Sequence, residues 1–307
     1  LYSIFQDAPT LGSLIDPGAP ENDLYTASFD ELEPLLKEAL AQEADTETAE
    51  RGVVAYGIAQ AAEMLRSKYY LVTTNVPYLG RGKQSEKLKS FSSEHFPNSD
   101  SGLDTIFIER SLQMSRRKGF TGLVTQQRWL YQKKHEALRK QMIRCTNISL
   151  IADLGISAFS TPMWDFNVAL NLLGNKKPQE SYHFSVVDAS SSRKLKEKAR
   201  ELKNGIVTRI KQRGIRKNPA HKILLSEVSS GSKLSEFATS VEGLSTGDSD
   251  RYILNHWELD EREKTWSLFQ RTPDGEKHYS GCESILKWER GEGPLASASG
   301  ARIQGHR

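Results

Sequence analysis

Residues 68–82 read K-Y-Y-L-V-T-T-N-V-P-Y-L-G-R-G. Tyr69 to Thr74 are all aromatic, β-branched or leucine, the composition of a short buried strand, and the run stops at the polar Asn75. Such a strand delivers Asn75, Val76, Pro77 and Tyr78 to its carboxyl end, the edge of an open α/β sheet at which ligands bind. Pro77 fixes its own φ and pushes Val76 out of the helical region, so the tetrapeptide is a stiff turn that holds its side chains in place.

On either side, the chain alternates strand-like and helix-like segments. Phe29 to Leu40 and Gly52 to Arg66 carry apolar residues at helical spacing, Leu32, Leu35, Leu36 and Leu40 in one and Val54, Ile58, Ala61, Ala62 and Leu65 in the other, and read as core-facing stripes. Leu103 to Lys118 reads as a helix closed by Gly119. Gly119 to Thr125 reads as the next strand, followed by Gln126, Trp129 and a basic helix from Leu130 to Arg144. Ile148 to Leu154, Phe166 to Leu173 and Ser181 to Val187 are further strands. Helices alternating with strands and closed by a hairpin predict a doubly wound α/β sheet with an antiparallel edge.

The 307 residues leave room for one large domain or two ordinary ones. Hydrophobic residues make up 37% and charged residues 26%, as in a soluble globular protein, and no run of about 18 apolar residues could span a membrane. There is no secretory signal. Cys145 and Cys282 are too few and too far apart for a disulfide framework or zinc site and suit a reducing cytosol, so no metal is expected and a cytoplasmic location is. The net charge is only +3, yet between Ala189 and Lys217 eleven Lys or Arg face two Glu, a local +9. Such a block suits a polyanion, or is a solvated helical face. No G-x-S-x-G occurs, and Gly80-Arg81-Gly82-Lys83 lacks the spacer and ending of a phosphate loop. Arg81 and Lys83 are candidate contacts to a nucleic-acid backbone, or simple turn residues.

Asn75-Val76-Pro77-Tyr78 resembles the N-P-P-Y signature of amino-group DNA methyltransferases. Its surroundings resemble one branch, the adenine-specific methyltransferases of phage-exclusion (BREX) systems known as PglX and the related type IIG restriction-modification enzymes of the N-6 DNA methylase group. The resemblance extends from about Phe5 to Trp288. Phe5, Asp7, Ala8, Thr10, Gly12, Ser13 and Leu14 match F-x-D-A-x-T-x-G-S-L; Phe107, Ile108, Glu109, Arg110 and Leu112 match F-I-E-R-x-L. Gly119, Gly122, Val124, Thr125, Gln126 and Trp129 match the next strand and its end, and Gly155 to Phe159 match L-G-x-x-A-F together with Leu154. Gly243, Leu244, Thr246, Gly247, Asp248, Arg251 and Tyr252 match G-L-x-T-G-D-x-x-R-(F/Y), which opens a target-recognition region. The departures are Val76 for the first proline and Ser101-Gly102-Leu103-Asp104 for the family's A-D-L-F.

The resemblance implies a partial Rossmann-like class I methyltransferase sheet with the start of a target-recognition domain. It places the carboxyl-terminal part of the catalytic domain at 1–188, a basic helical connector at 189–225 and the beginning of target recognition at 226–307. It implies adenine-N6 methylation of double-stranded DNA with S-adenosyl-L-methionine as donor, in phage defence or restriction-modification, with other defence proteins as further partners. Catalysis falls to Asn75, Val76, Pro77 and Tyr78. The Asn75 side-chain oxygen and the carbonyl of residue 76, which valine keeps, would accept the two N–H bonds of the adenine amine, and Tyr78 would stack on the flipped base. Asp7, Phe107 and Glu109 are expected at the cofactor, although Asp7 also suits a helix N-cap. Arg81, Lys83, Gln126, Thr246, Asp248 and Arg251 are expected at DNA, the last three alternatively forming a capped turn. No F-x-G-x-G donor loop follows an early strand. The chain is therefore expected to be a fragment that by itself binds the donor poorly and turns over little. Two rival readings are a catalytically inactive methyltransferase-like DNA-binding module and the methylase part of a fused restriction endonuclease, for which no P-D-(D/E)-x-K cluster is present.

Overall fold

The strand read at Tyr69 to Thr74 exists as β1 (Tyr69–Asn75) and runs parallel to β2 (Ser115–Gln126), with Asn75 opposite Val124. It is not buried: Tyr70 is 73% and Leu71 59% exposed, because β1 lies at the edge of a six-stranded sheet. Side-chain composition selects a strand, but the strand's neighbours decide its burial. The structure, a computed structural model, describes residues 5–18, 34, 35, 38, 46–160, 166–225, 236–239, 243–260, 264–273 and 280–303. They fall in two units, 1–228 and 229–307.

In the first unit the helices are α1 (Thr46–Arg66), α2 (Glu86–His95), α3 (Leu103–Met114) and α4 (Glu136–Cys145). The helix expected at 29–40 lies outside the described residues but for 34, 35 and 38. α1 begins earlier than read and buries Ala59 and Ala62 but leaves Val54 58% exposed. α2 is capped by Ser85, whose Oγ accepts from the Leu88 amide at 3.3 Å. α3 stops four residues short of Lys118, because Ser115 already belongs to β2 and Lys118 takes a left-handed φ of 68°. α4 starts six residues after Leu130, behind two 3₁₀ turns.

β3 (Asn147–Gly155), β4 (Val168–Gly174), β5 (His183–Asp188) and β6 (Val207–Lys211) complete the mixed α/β sheet in the order β1-β2-β4-β3-β5-β6. β3 and β5 are parallel, and β4 runs antiparallel to both β2 and β3. The expected antiparallel strand is therefore inside the sheet. The antiparallel edge is β6, paired with β5 and drawn from the segment 189–225 that was read as helical. That segment supplies one helix, α5 (Leu195–Asn204), which ends at Gly205; a side chain there would strike the Glu201 carbonyl at 2.4 Å. Beyond it, Val207, Thr208 and Ile210 are β-branched and favour a strand whatever the charges between them.

The main core gathers Trp129, Leu130, Leu138, Met142 and Ile143 over Ile148, Ile151, Leu173 and Phe184, with Ile215 and Ile223 closing it. A second cluster sets Leu11, Leu14 and Ile15 against Leu88, Phe96 and Ile106. Between these last elements runs the fully buried Arg110, which donates to the carbonyls of Ser13 (2.9 Å), Ile15 (2.6 Å) and Leu65 (3.1 Å) and pairs with Asp16 at 3.2 Å. In the second unit β7 (Ile253–Asn255), β9 (Ser284–Lys287) and β8 (Trp266–Phe269) form an antiparallel sheet in that order over Tyr252, Leu286 and Leu295.

Candidate active site at the carboxyl ends of β1 and β2

Because β1 and β2 are parallel, Asn75 and Gln126 end adjacent strands at the same edge. Asn75 is exposed, Val76 is buried and Pro77 is exposed. Tyr78 is half-buried among Leu154, Val168, Val124 and Ala189, with its ring meeting that of Phe166 edge-on at 5.6 Å between centroids and 66° between planes. Its hydroxyl is buried without a hydrogen-bond partner. Burial, helped by the charge of Asp104, pushes the phenol up to about 12. The chain then turns back on itself: the Leu103 amide donates to the Leu79 carbonyl at 2.9 Å, and Gly80 bridges Gly102. This ties the signature turn to the start of α3.

That contact brings in a residue the sequence reading passed over. Asp104, in the first turn of α3, is fully buried, and neither carboxylate oxygen closes a hydrogen bond, although the amides of Thr105 and Gln126 lie beside it and Arg128 Nη2 stands 3.7 Å away. Burial raises its pKa against the opposing pull of Arg128. His135, also fully buried, shares a hydrogen bond of 2.9 Å between Nδ1 and Ser101 Oγ while Nε2 has no partner. Burial, then the charges of Lys134, Arg128 and Arg139, lowers the imidazole to about 3. The departure from the family's A-D-L-F was the one sequence signal, and it falls on this carboxylate.

The other expected residues lie as follows. Asp7 ends no strand: its carbonyl accepts from Thr10 and Leu11 to open a short helix (Ala8–Leu11), and its carboxylate pairs with Lys87. Phe107 packs into the second cluster. Glu109 is buried and raised in pKa by that burial, with hydrogen bonds from Ser99 and Gln141. Arg81 is held by Asp100 at 2.7 Å and Ser93 at 2.8 Å, while Lys83 is exposed on the same 3₁₀ turn. Gln126 is buried. In the second unit Thr246 is buried, Asp248 Oδ1 caps a short helix (Ser249–Tyr252) by accepting from the Arg251 amide at 3.3 Å, and the Arg251 guanidinium lies 5.2 Å from the centre of the Tyr252 ring. The structure thus brings Asn75, Val76, Pro77, Tyr78 and Gln126 together. Phe107 and Glu109 lie on α3, the first half-buried against the second cluster and the second buried with Ser99 as a hydrogen-bond donor. Among the described residues no cluster of potential ligands could hold a metal ion, and no helix is long and apolar enough to cross a membrane.

The resemblance read from the sequence is borne out by comparison. Residues 18–159 match the family model of the Eco57I restriction-modification methylase. The chain is 29% identical over 274 residues to the adenine-specific methyltransferase BrxX of Escherichia coli O9:H4 (strain HS), covering 83% of this chain and 21% of that protein. It is 24% identical over 259 residues to the adenine-specific methyltransferase PglX of Lacticaseibacillus casei (strain Zhang), covering 75% of this chain and again 21% of the relative. The chain therefore spans about a fifth of the length of the curated relatives it matches. Among solved structures, the Type IIL restriction-modification enzyme MmeI in complex with DNA aligns at a TM-score of 0.46 and 14% identity, covering 78% of this chain and 32% of that one.

Proposed function

We propose that this chain, whose residues 18–159 match the Eco57I restriction-modification methylase family, forms the target-base side of a DNA adenine-N6 methyltransferase serving phage defence or restriction-modification in the cytoplasm. The observation that carries the reading is the exposed Asn75 at the carboxyl end of β1, leading into a proline-stiffened turn with an aromatic ring three residues on. The lone pair of an aromatic amine is delocalised into its ring and is a poor nucleophile. Two acceptors, the Asn75 side-chain oxygen and the Val76 carbonyl, would hold both N–H bonds and draw the nitrogen toward tetrahedral geometry. Proline is not needed for this, since valine offers the same carbonyl. The catalytic contribution is orientation of a base flipped out of the duplex.

Tyr78 and Phe166 form a pair of aromatic walls beside this turn, and a base stacking on Tyr78 would have to displace the Phe166 edge now against it. S-adenosylmethionine, the methyl donor in this reading, supplies an electrophilic methyl group; the residues above act on the base alone. Arg81, Lys83, Thr246, Asp248 and Arg251 are assigned to DNA only as far as their present contacts allow: Lys83 is open, while Arg81 and Asp248 are engaged within the chain. The test is transfer of a tritiated methyl group to duplex DNA by the longest natural polypeptide that carries these residues. Asn75→Ala is expected to abolish incorporation. Equal incorporation in that variant would refute the role of Asn75, and duplex binding with no incorporation in either protein would favour the inactive module.

A further inference from the structure

Away from the turn after β1, four basic side chains from remote parts of the chain line one cavity of about 210 Å³: Lys140 and Arg144 on α4, Arg216 in the 3₁₀ segment after β6, and His221. Lys140 and Arg144 are four residues apart, so they share one face of α4. Among the described residues, neither they nor Arg216 forms an ion pair. The Glu136 carboxylate stands 3.7 Å from His221 Nδ1, and that nitrogen is buried without a hydrogen bond.

The backbone that completes the cavity is strained. Ala220 and His221 both take left-handed φ values, 50° and 53°, which cost non-glycine residues on the order of 1–3 kcal/mol each. They are held there by the fully buried Arg139, whose Nε and Nη2 donate to the Ala220 carbonyl at 3.2 and 2.8 Å while Nη1 donates to the carbonyls of Trp129 and Gln132. A buried guanidinium thus pins an unfavourable turn where His221 lines the cavity with two cations of α4. Lys140, Arg144 and Arg216 outnumber the Glu136 carboxylate, and an anion offsets the positive charge left over.

We propose that this cavity binds a phosphate group, and that in the protein's function the group belongs to the sugar–phosphate backbone of duplex DNA. The phosphate chemistry stands on the four side chains; the DNA source rests on the function proposed above. Such an anchor would fix the register of the duplex without reading its sequence.

The experiment compares the chain with the double variant Arg144→Gln/Arg216→Gln, whose side chains are exposed, so that its melting temperature without ligand should be no lower than the original's. Duplex affinity is followed by fluorescence anisotropy against salt, and inorganic phosphate is added alone in a thermal-shift series. The expected result is affinity weakened on the order of tenfold for every sequence tested, a slope of log K on log salt smaller by about 1, and a phosphate-induced stabilisation that the variant loses. Stabilisation by phosphate that the variant loses, with no duplex binding by the original chain, would support the cavity but assign it to free phosphate and sink the DNA reading. Duplex binding of unchanged slope in the variant, with equal phosphate response, would overturn the cavity alone. No response to either ligand overturns the proposal outright.

Discussion

At Tyr78 a buried hydroxyl has no partner, and an aromatic ring does the packing. Removing an unsatisfied buried polar atom relieves a cost, whereas removing the ring leaves a cavity. Tyr78→Phe is therefore expected to keep or slightly raise stability and to retain methyl transfer, while Tyr78→Ala should lose transfer and about 3 kcal/mol of stability; urea unfolding and tritium incorporation separate the two. His135 gives a pH dependence of known sign. Its imidazole, ordinarily near 6.5, is held down to about 3 in the folded chain, so between those values the unfolded chain binds the extra proton. Stability contributed by the neutral ring is present above pH 6.5 and is lost as pH falls, by at most about 1.4 kcal/mol per pH unit. His135→Gln is expected to flatten this acid limb in unfolding curves taken at successive pH values.

Among the elements, β2 depends on close approach to β1. A Cβ at Gly119 would come within 2.9 Å of the Tyr70 carbonyl and 3.0 Å of the Arg116 carbonyl, neither of which can yield without moving the strand pair. Gly119→Ala is expected to cost about 1–3 kcal/mol, read as a lower urea midpoint. α3 is held by its arginine. Within the F-I-E-R-x-L match, Arg110 is spent on three carbonyls of the residues leading into the fold and of α1, and on Asp16. Arg110→Met, of similar length, should lower stability by about 3 kcal/mol by leaving those acceptors unpaired. The periodicity of α3 was legible; its early end was not, because Ser115 joins β2 by pairing with Tyr69, more than forty positions away.

For the whole molecule, each of the two units has its own apolar cluster, so a polypeptide of residues 1–228 alone is expected to unfold in one cooperative transition by circular dichroism. A gradual, non-cooperative loss of signal would show that the division is wrong. Local composition and spacing determined which segments become β2 to β5, that Asn75 ends a strand before a stiff turn, and where basic residues concentrate. Tertiary structure alone decided that β1 is an exposed edge and that β4 lies between β2 and β3. It alone set Asp104, Arg128 and His135 beside the signature turn and gathered Lys140, Arg144, Arg216 and His221 into one cavity. It also buried Lys198 of the basic block, whose ammonium donates to the carbonyls of Leu154 and Ala189. The reason is physical: propensity and period act over a few residues, whereas strand order, burial and the meeting of charges depend on which distant segments share a surface, and that is settled only when the chain closes on itself.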